Sequence, residues 1–552
     1  MSTEFEGALM KFNVFALLVS LAFVSAAQAE RVIVIMKDKE SFKEAHQAYR
    51  AGGSYALKNF KLGAKENALA QVDGQVEDSL SNLNTLIINA KDDAEIAKLQ
   101  ANPAVAYVEK EMFHEAPRPV KGFLGAAIMA SKVKTSPKTP WGISAVKAPE
   151  AWIKSNRGAG ARVLVLDTGI DAEHPSIKGN FEQGQDFTGD SDGSDFSDKV
   201  GHGTHCAGTI AGVLDKKGFT GVAPDAKLLM GRVCSEQGCS NVAIAQGINW
   251  GITQKVDVIS MSLGGMWSTP AERTAITAAD KAGITVVAAS GNDGSARVSY
   301  PAALPTVIAV GAIDNTLHKA DFSQYGPELA VVAPGVAVVS SVPQGTGREA
   351  GVSIQVGQKA TKVNASTFQG AREILTAETN VLVNAGIGKP EEFTAAVKGK
   401  YALIARGEIK FTEKVENAIK AGAAGVVIYN NAPGLIQGAL TDGTSTLPVG
   451  VFMIEQTTGT EIVKQLAAGQ TVSATLQTVA TDYSAFDGTS MATPHVAGVV
   501  ALVKAANKSL TGSQIKAILK ATASPLSPND KNEYGSGLVN AEAAVEAALA
   551  TH

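Results

Sequence analysis

Residues 161–171 read ARVLVLDTGID. Four apolar residues in a row, with no polar alternation, predict a strand buried on both faces that ends at Asp167. The same texture returns at AKLLMGRV (226–233), VDVISMSL (256–263), ITVVAAS (284–290) and PTVIAVGAI (305–313), with helical stretches such as 240–254 and 269–282 between them. Continuous apolar strands alternating with helices predict an α/β fold, a mainly parallel sheet covered on both faces. Sheets of this kind carry their chemistry at the carboxyl ends of the strands, where Asp167 stands.

Outward from this core the texture changes three times. Residues 30–115 predict a separate small unit. Strands at 31–37, near Gln71–Val76, at 84–90 and near Val105–Phe113, with helices at Ser41–Lys58 and from Asp92, give the ferredoxin-like order β-α-β-β-α-β. Residues 116–138 (PRPVKGFLGAAIMASKVKTSPK from 117) have no sustained period and form a linker. The α/β core occupies 139–343 and resumes at 483–552, where helices are expected at Thr489–Asn507, Gly512–Ala523 and Asn540–Ala550. Between them, residues 344–482 are rich in Thr, Val and Gly and form an insertion.

The 552 residues favour two to four domains. Net charge is −4, and no basic stripe with interleaved aromatics occurs, which argues against a nucleic-acid partner. Lys11, the apolar run VFALLVSLAFV (14–24) and Ala27-Gln28-Ala29 form a secretory signal peptide over residues 1–29. Eleven apolar residues are about half the roughly 20 that a spanning helix needs. Glu4 and Glu6 oppose the positive n-region, so Met10 is an alternative start. The mature protein is expected to be a soluble monomer without a membrane anchor, secreted outside the cell or into a periplasm. Of three cysteines, Cys234 and Cys239 (CSEQGC) are spaced to close a small loop as a disulfide after export; Cys206 is left over.

Three local signals carry chemistry: Asp167 in VLVLDTGID, His202 in GHGTHCAGT and Ser490 in FDGTSMATPHVAG. A hydroxyl attacks well only when a base takes its proton, histidine is that base near neutral pH, and a buried carboxylate fixes the imidazole. The order Asp…His…Ser differs from the chymotrypsin and α/β-hydrolase orders. The tripeptide DTG also marks aspartic proteases, but they need two and the chain has one. His202 and His205 form H-x-x-H without the acidic partner of a zinc motif.

The blocks VLDTGID, GHGTHCAGT, SMSLGG, AASGND and GTSMATPHVAG, in this order across 139–343 and 483–550, resemble the signature segments of the subtilisin (subtilase) family. The resemblance implies a three-layer subtilisin-like fold and a serine endopeptidase acting on proteins or peptides, with no cofactor for catalysis. It implies Asn292 as an oxyanion-hole donor with the Ser490 amide. Ser262, Leu263 and Gly264 would pair with extended substrate, and Ala289, Ser290, Gly291 and Ser299 would line a first specificity pocket with Asp293 at its rim. Cys206 matches a free thiol of the proteinase K-like branch. The 30–115 unit resembles the family's inhibitory propeptide, cut within 114–139. Residues 370–475 resemble a protease-associated (PA) domain, most clearly in GKYALIARGEIKFTEKVENAIKAGAAGVVIYNNAPG (399–434). Structural calcium is a further expectation. Asp215 falls at a side-chain ligand of the family's strong site, although Ser176 and Pro137 fall where its other ligands belong. Asp186, Asp190, Asp192, Asp195 and Asp198 lie in one loop, comparable to a calcium loop of the thermitase-like branch.

Overall fold

The computed structural model describes residues 30–52, 75–116, 120–122, 139–214, 219–436, 438–441 and 445–551. The signal peptide, the part of the expected helix Ser41–Lys58 beyond Gly52, most of the linker and Asp215 lie outside these residues.

The buried strand at 162–167 sits inside a seven-stranded sheet. Its spatial order is Leu329–Pro334, Ile308–Ile313, Thr285–Ala289, Val258–Met261, Arg162–Asp167, Lys227–Arg232, Phe181–Asp186. Every neighbouring pair is parallel. Two of these strands were not foreseen. Phe181–Asp186 (FEQGQD) is polar because it is the sheet edge, half-buried along most of its length. Leu329–Pro334 closes the other edge and is buried throughout. The chain runs from the central strand to one edge, then crosses to the other side through the helix Asn241–Gln254. The crossover leaves a crevice at the carboxyl ends of Arg162–Asp167 and Val258–Met261. The helix Thr489–Ala506 packs over the sheet, contacting the strands on both sides of that crevice.

Residues 30–110 form a four-stranded antiparallel sheet in the order Gln75–Leu80, Thr85–Ala90, Glu30–Met36, Val105–Lys110, with helices Lys39–Gly52 and Asp93–Ala101. The second strand, expected near Gln71–Val76, is described over Gln75–Leu80 and so runs past Val76. Its charged residues obscured its far end; Glu77 pairs with Arg31, two strands away in the sheet. One face of this sheet buries Ile33, Ile35, Leu80, Leu83 and Ile87 in the same apolar core as the large sheet. Polar contacts fix the docking. Glu109 accepts from Asn241 Nδ2 at 2.5 Å and from the Ala271 amide at 3.2 Å, at the start of the helix Pro270–Lys281.

The insertion forms its own mixed eight-stranded sheet with helices Phe411–Lys420 and Gln456–Ala467. It leaves the core on one antiparallel pair. Val338–Ser341 pairs with Tyr483–Asp487, and Gly347–Val356 pairs with Val472–Thr481 over ten residues. Tyr483–Asp487 has a second neighbour, Val120–Gly122, so part of the expected linker is a strand. Three residues are too few to show a period in sequence.

Candidate functional site

Asp167 ends the central strand at 0% exposure, and His202 begins the helix His202–Ala211 at 2%. Their Oδ1 and Nδ1 atoms are 2.7 Å apart. Burial alone would lower the His202 pKa, but the Asp167 charge and hydrogen bond, with the Cys206 sulfur nearby, hold it well above the ordinary histidine value. The segment before His202 is tied to the strand end through Asp198. Its Oδ1 accepts from Thr168 Oγ1 (2.9 Å) and the amides of Val200 (3.0 Å) and Gly201 (2.8 Å). Its Oδ2 accepts from the Thr204 amide (2.8 Å) and hydroxyl (2.7 Å), so this carboxylate caps the first helical turn.

Ser490 opens the helix Thr489–Ala506, and Pro494 lies four residues on. Proline has no N–H to give the Ser490 carbonyl, so that acceptor needs another donor. Ser262 Oγ supplies one at 2.8 Å and Cys206 Sγ a weaker one at 3.5 Å. Burial raises the Cys206 pKa, which keeps the thiol protonated as a donor rather than a nucleophile. Ser490 Oγ itself donates to the Ser262 carbonyl at 3.1 Å. No hydrogen bond joins it to His202 in this state, as is common before substrate enters such sites.

Asn292 Oδ1 accepts from the Thr489 amide and hydroxyl, both at 2.9 Å, which turns its Nδ2 outward. A Cβ placed on Gly488 would meet Asn292 Nδ2 and the Ser490 nitrogen, each at 3.6 Å. One small space beside Ser490 therefore faces two N–H donors, a fit for a developing oxyanion.

A single cleft is lined by His202, Ser490, Asn292, Asp293, Ser262, Leu263, Gly264, Ala289, Gly291 and Ser299. Ser290 is fully buried, with its hydroxyl turned away to the Gln324 carbonyl. Gln324 gave no signal in the sequence. Its Oε1 accepts from the Asp293 amide (3.3 Å) and Ser299 Oγ (3.4 Å), and its Nε2 donates to the Arg297 carbonyl (2.5 Å). Gly291 has φ +109°, and any Cβ there would collide with Gln324. The pocket floor is thus a glutamine amide among small residues.

Phe113, His114, Glu115 and Ala116 line the same cleft. Phe113–His114 pairs antiparallel with Gly238–Ser240, the outer strand of a hairpin closed by the Cys234–Cys239 disulfide. Gly238 has φ +132°, and a Cβ there would run into the His114 carbonyl.

Among the described residues, the carboxylates of the acidic loop do not converge on one point. Arg232 spans it, pairing with Asp186 at 3.2 Å and Asp190 at 2.9 Å. Asp192 and Asp195 accept from Ser194 and Ser197 at the surface, and Asp198 is committed to the helix cap. The carboxylates face separate protein donors because an arginine already supplies the balancing charge, so the expected calcium finds no converging ligand set among the described residues. The one group of potential metal ligands within mutual reach among these residues is Asp167, His202 and Cys206. There, His202 is bonded to Asp167 and Cys206 to Ser490. His205 is turned away, its Nε2 against the Val338 and Ser484 carbonyls at 2.9 and 3.2 Å.

The description "Subtilase family" matches residues 158–370 and 412–537, and "PA domain" matches 360–462. The chain is 35% identical over 304 residues to Subtilisin E of Bacillus subtilis (strain 168), covering 54% of this chain and 74% of that protein. It is 44% identical over 213 residues to the Major intracellular serine protease of the same organism, covering 37% and 67%. The psychrophilic subtilisin-like protease Apa1 of the Antarctic psychrotroph Pseudoalteromonas sp. AS-11 superposes with TM-score 0.58 at 29% identity, over 75% of this chain and 99% of that one.

Proposed function

This chain belongs to the subtilase family of serine proteases and carries a PA domain, and on that premise we propose that it is an exported endopeptidase made as a self-cleaving zymogen. The observation that supports the zymogen reading is the placement of residues 113–116 and 120–122. The strand Phe113–His114 lies in the cleft with His202 and Ser490, and Val120–Gly122 pairs with Tyr483–Asp487, the strand that leads into Ser490. The chain is thus held in the groove up to Ala116 and again from Val120 beside the strand that precedes Ser490, which in this reading brackets a cut between Ala116 and Val120. After the cut, the docked 30–116 unit would block the groove as an inhibitor until it is destroyed.

In this reading Ser490 Oγ attacks the substrate carbonyl carbon and passes its proton to His202 Nε2, while Asp167 holds the Nδ1–H and stabilises the imidazolium. The carbonyl oxygen takes up negative charge between Asn292 Nδ2 and the Ser490 amide. Collapse breaks the C–N bond, and the amine leaves with the proton from His202. Water, deprotonated by His202, then releases the acyl group and restores Ser490. Substrate would extend along Ser262–Gly264 and Gly238–Ser240, with its first side chain in the pocket over Gln324. The residues 1–29 support export, and a disulfide-closed hairpin suits an oxidising compartment. The PA domain, hinged on strands that rejoin the core just before Ser490, would select protein substrates by access.

An active-site serine probe should label the matured protein, and Ser490→Ala should abolish labelling and peptide hydrolysis together. Equal labelling of that variant would reject the assignment. Deleting 347–481 should spare small-peptide hydrolysis and change protein-substrate preference; equal loss of both would reject the access role.

A further inference from the structure

Behind His114, which lines the cleft, lies a carboxyl group that the protease reading does not use. Glu272 lies in the first turn of the helix Pro270–Lys281, 1% exposed, and neither carboxylate oxygen has a hydrogen-bond partner among the described residues. His114 covers it. The imidazole is 3% exposed, its Nε2 is 3.5 Å from Glu272 Oε1, and neither ring nitrogen has a hydrogen-bond partner among the described residues. Trp267 forms one wall, its ring 5.3 Å from that of His114 and tilted by 34°. The opposite wall is bare backbone at Gly265, where a Cβ would run into His114 Nδ1. Gly265 and Tyr300 fix that wall by exchanging hydrogen bonds at 2.9 and 2.8 Å.

A buried carboxyl group without hydrogen-bond donors is costly. The other carboxylate at this helix start, Glu109, belongs to the 30–110 unit and departs with it. Arg273, the nearest cation in sequence, reaches out to the Ser268 carbonyl instead. Once residues 30–116 are gone, Glu272 is the carboxylate of this helix turn that a bound substrate meets where His114 sat. An aromatic face beside it favours a cation further.

We infer that Glu272 is a specificity-determining residue: the subsite filled by His114 selects histidine, lysine or arginine in the substrate strand, several residues before the scissile bond. This rests on the protease reading of the cleft and adds to it a substrate class. It also gives a reason for a histidine at position 114, since an apolar side chain there would leave Glu272 buried and unanswered.

The test uses the matured enzyme and fluorogenic peptides in which each of the four residues before the scissile bond is varied in turn. At one position, His, Lys or Arg should give a kcat/KM about tenfold above Leu or Phe, the scale of one charge-assisted bond in a small site. Glu272→Gln should remove most of the Lys and Arg advantage, and Glu272→Leu should invert it toward Leu and Phe. Hydrolysis of peptides with Leu at that position should persist in both variants. Wild-type enzyme that prefers Leu or Phe at all four positions overturns the inference, as does a basic preference that survives both substitutions. Should a variant not fold, the wild-type profile alone decides. Failure of wild-type enzyme to cleave any peptide or take a serine probe would instead reject the protease reading beneath it.

Discussion

Asp198 offers the sharpest stability test, because the sequence placed it in an acidic cation loop and the structure makes it a helix cap. Asn at this position keeps the shape but replaces one oxygen by an NH2 group. Oδ1 faces three donors and Oδ2 two, so the amide nitrogen should settle on the Oδ2 side, against the Thr204 amide and hydroxyl at 2.8 and 2.7 Å. Two charge-assisted bonds of about 1.5–3 kcal/mol each are disturbed there, and the Thr204 hydroxyl recovers one by rotating to accept. Loss of the carboxylate charge beside the helix N-terminus adds about 0.5–1 kcal/mol. The sum is about 3 kcal/mol, or roughly 6–12 °C in Tm for a domain of this size. Thermal unfolding should be followed in a Ser490→Ala background, so that self-digestion does not set the rate, with and without chelator. The expected shift is the same in both conditions, and in active enzyme kcat falls with KM little changed as His202 loses its fixed position. A shift under about 2 °C would refute the cap energetics. Chelator that lowers the parent protein to the variant's Tm would show that Asp198 acts through a bound cation.

Other outcomes follow from the same geometry. Because the His202 pKa is raised, its free-base form appears only above the ordinary value, and the acid limb of kcat/KM should lie above about pH 6.5; a limb below that value contradicts the Asp167 coupling. Asn292→Ala should lower kcat by about 10²–10³ with little change in KM, the cost already known for one oxyanion donor in a protease of this family; a fall of less than fivefold would remove Asn292 from that role. His495 is fully buried, donates from Nδ1 to the Met491 carbonyl, and has its pKa pushed down to about 4 by burial. The folded state thus binds its proton less readily than the unfolded chain, so its share of stability is complete above about pH 6.5 and is lost as pH falls toward 4, on the order of 3 kcal/mol. An unfolding titration of the Ser490→Ala protein that is flat between pH 6.5 and 4 would contradict this.

The core of the fold was legible because buried parallel strands have no polar alternation, and ARVLVLD and VDVISMSL have almost no other reading. The edge strand Phe181–Asp186 was not, since a half-exposed edge tolerates Glu and Gln. The ferredoxin-like unit was legible from its order of elements, but the end of its second strand was not, because Glu77 and Asp78 break the apolar pattern there and Glu77 answers Arg31. At the site, short motifs pointed to Asp167, His202, Asn292 and Ser490, which the fold brings to one cleft. Gln324, Glu272 and His114 were invisible because their roles arise from long-range packing, and an isolated buried polar residue has no local pattern. Cys206 was noticed for its spacing alone; its use became clear only through Pro494, whose missing N–H leaves the Ser490 carbonyl to Ser262 and Cys206. Clustered carboxylates look alike in sequence whether a metal or an arginine answers them, and the pairing of Arg232 with Asp186 and Asp190 comes only from the fold.

The claim that joins fold to function is that the chain cuts itself where it passes Ser490. Expression of wild-type and Ser490→Ala precursors, followed by intact-mass measurement and N-terminal sequencing, tests it directly. The account predicts that the wild-type chain yields a new N-terminus within 117–120, while the variant stays uncut with 30–116 still bound. Cleavage of the purified variant at the same place, or a wild-type cut outside that span, would contradict it.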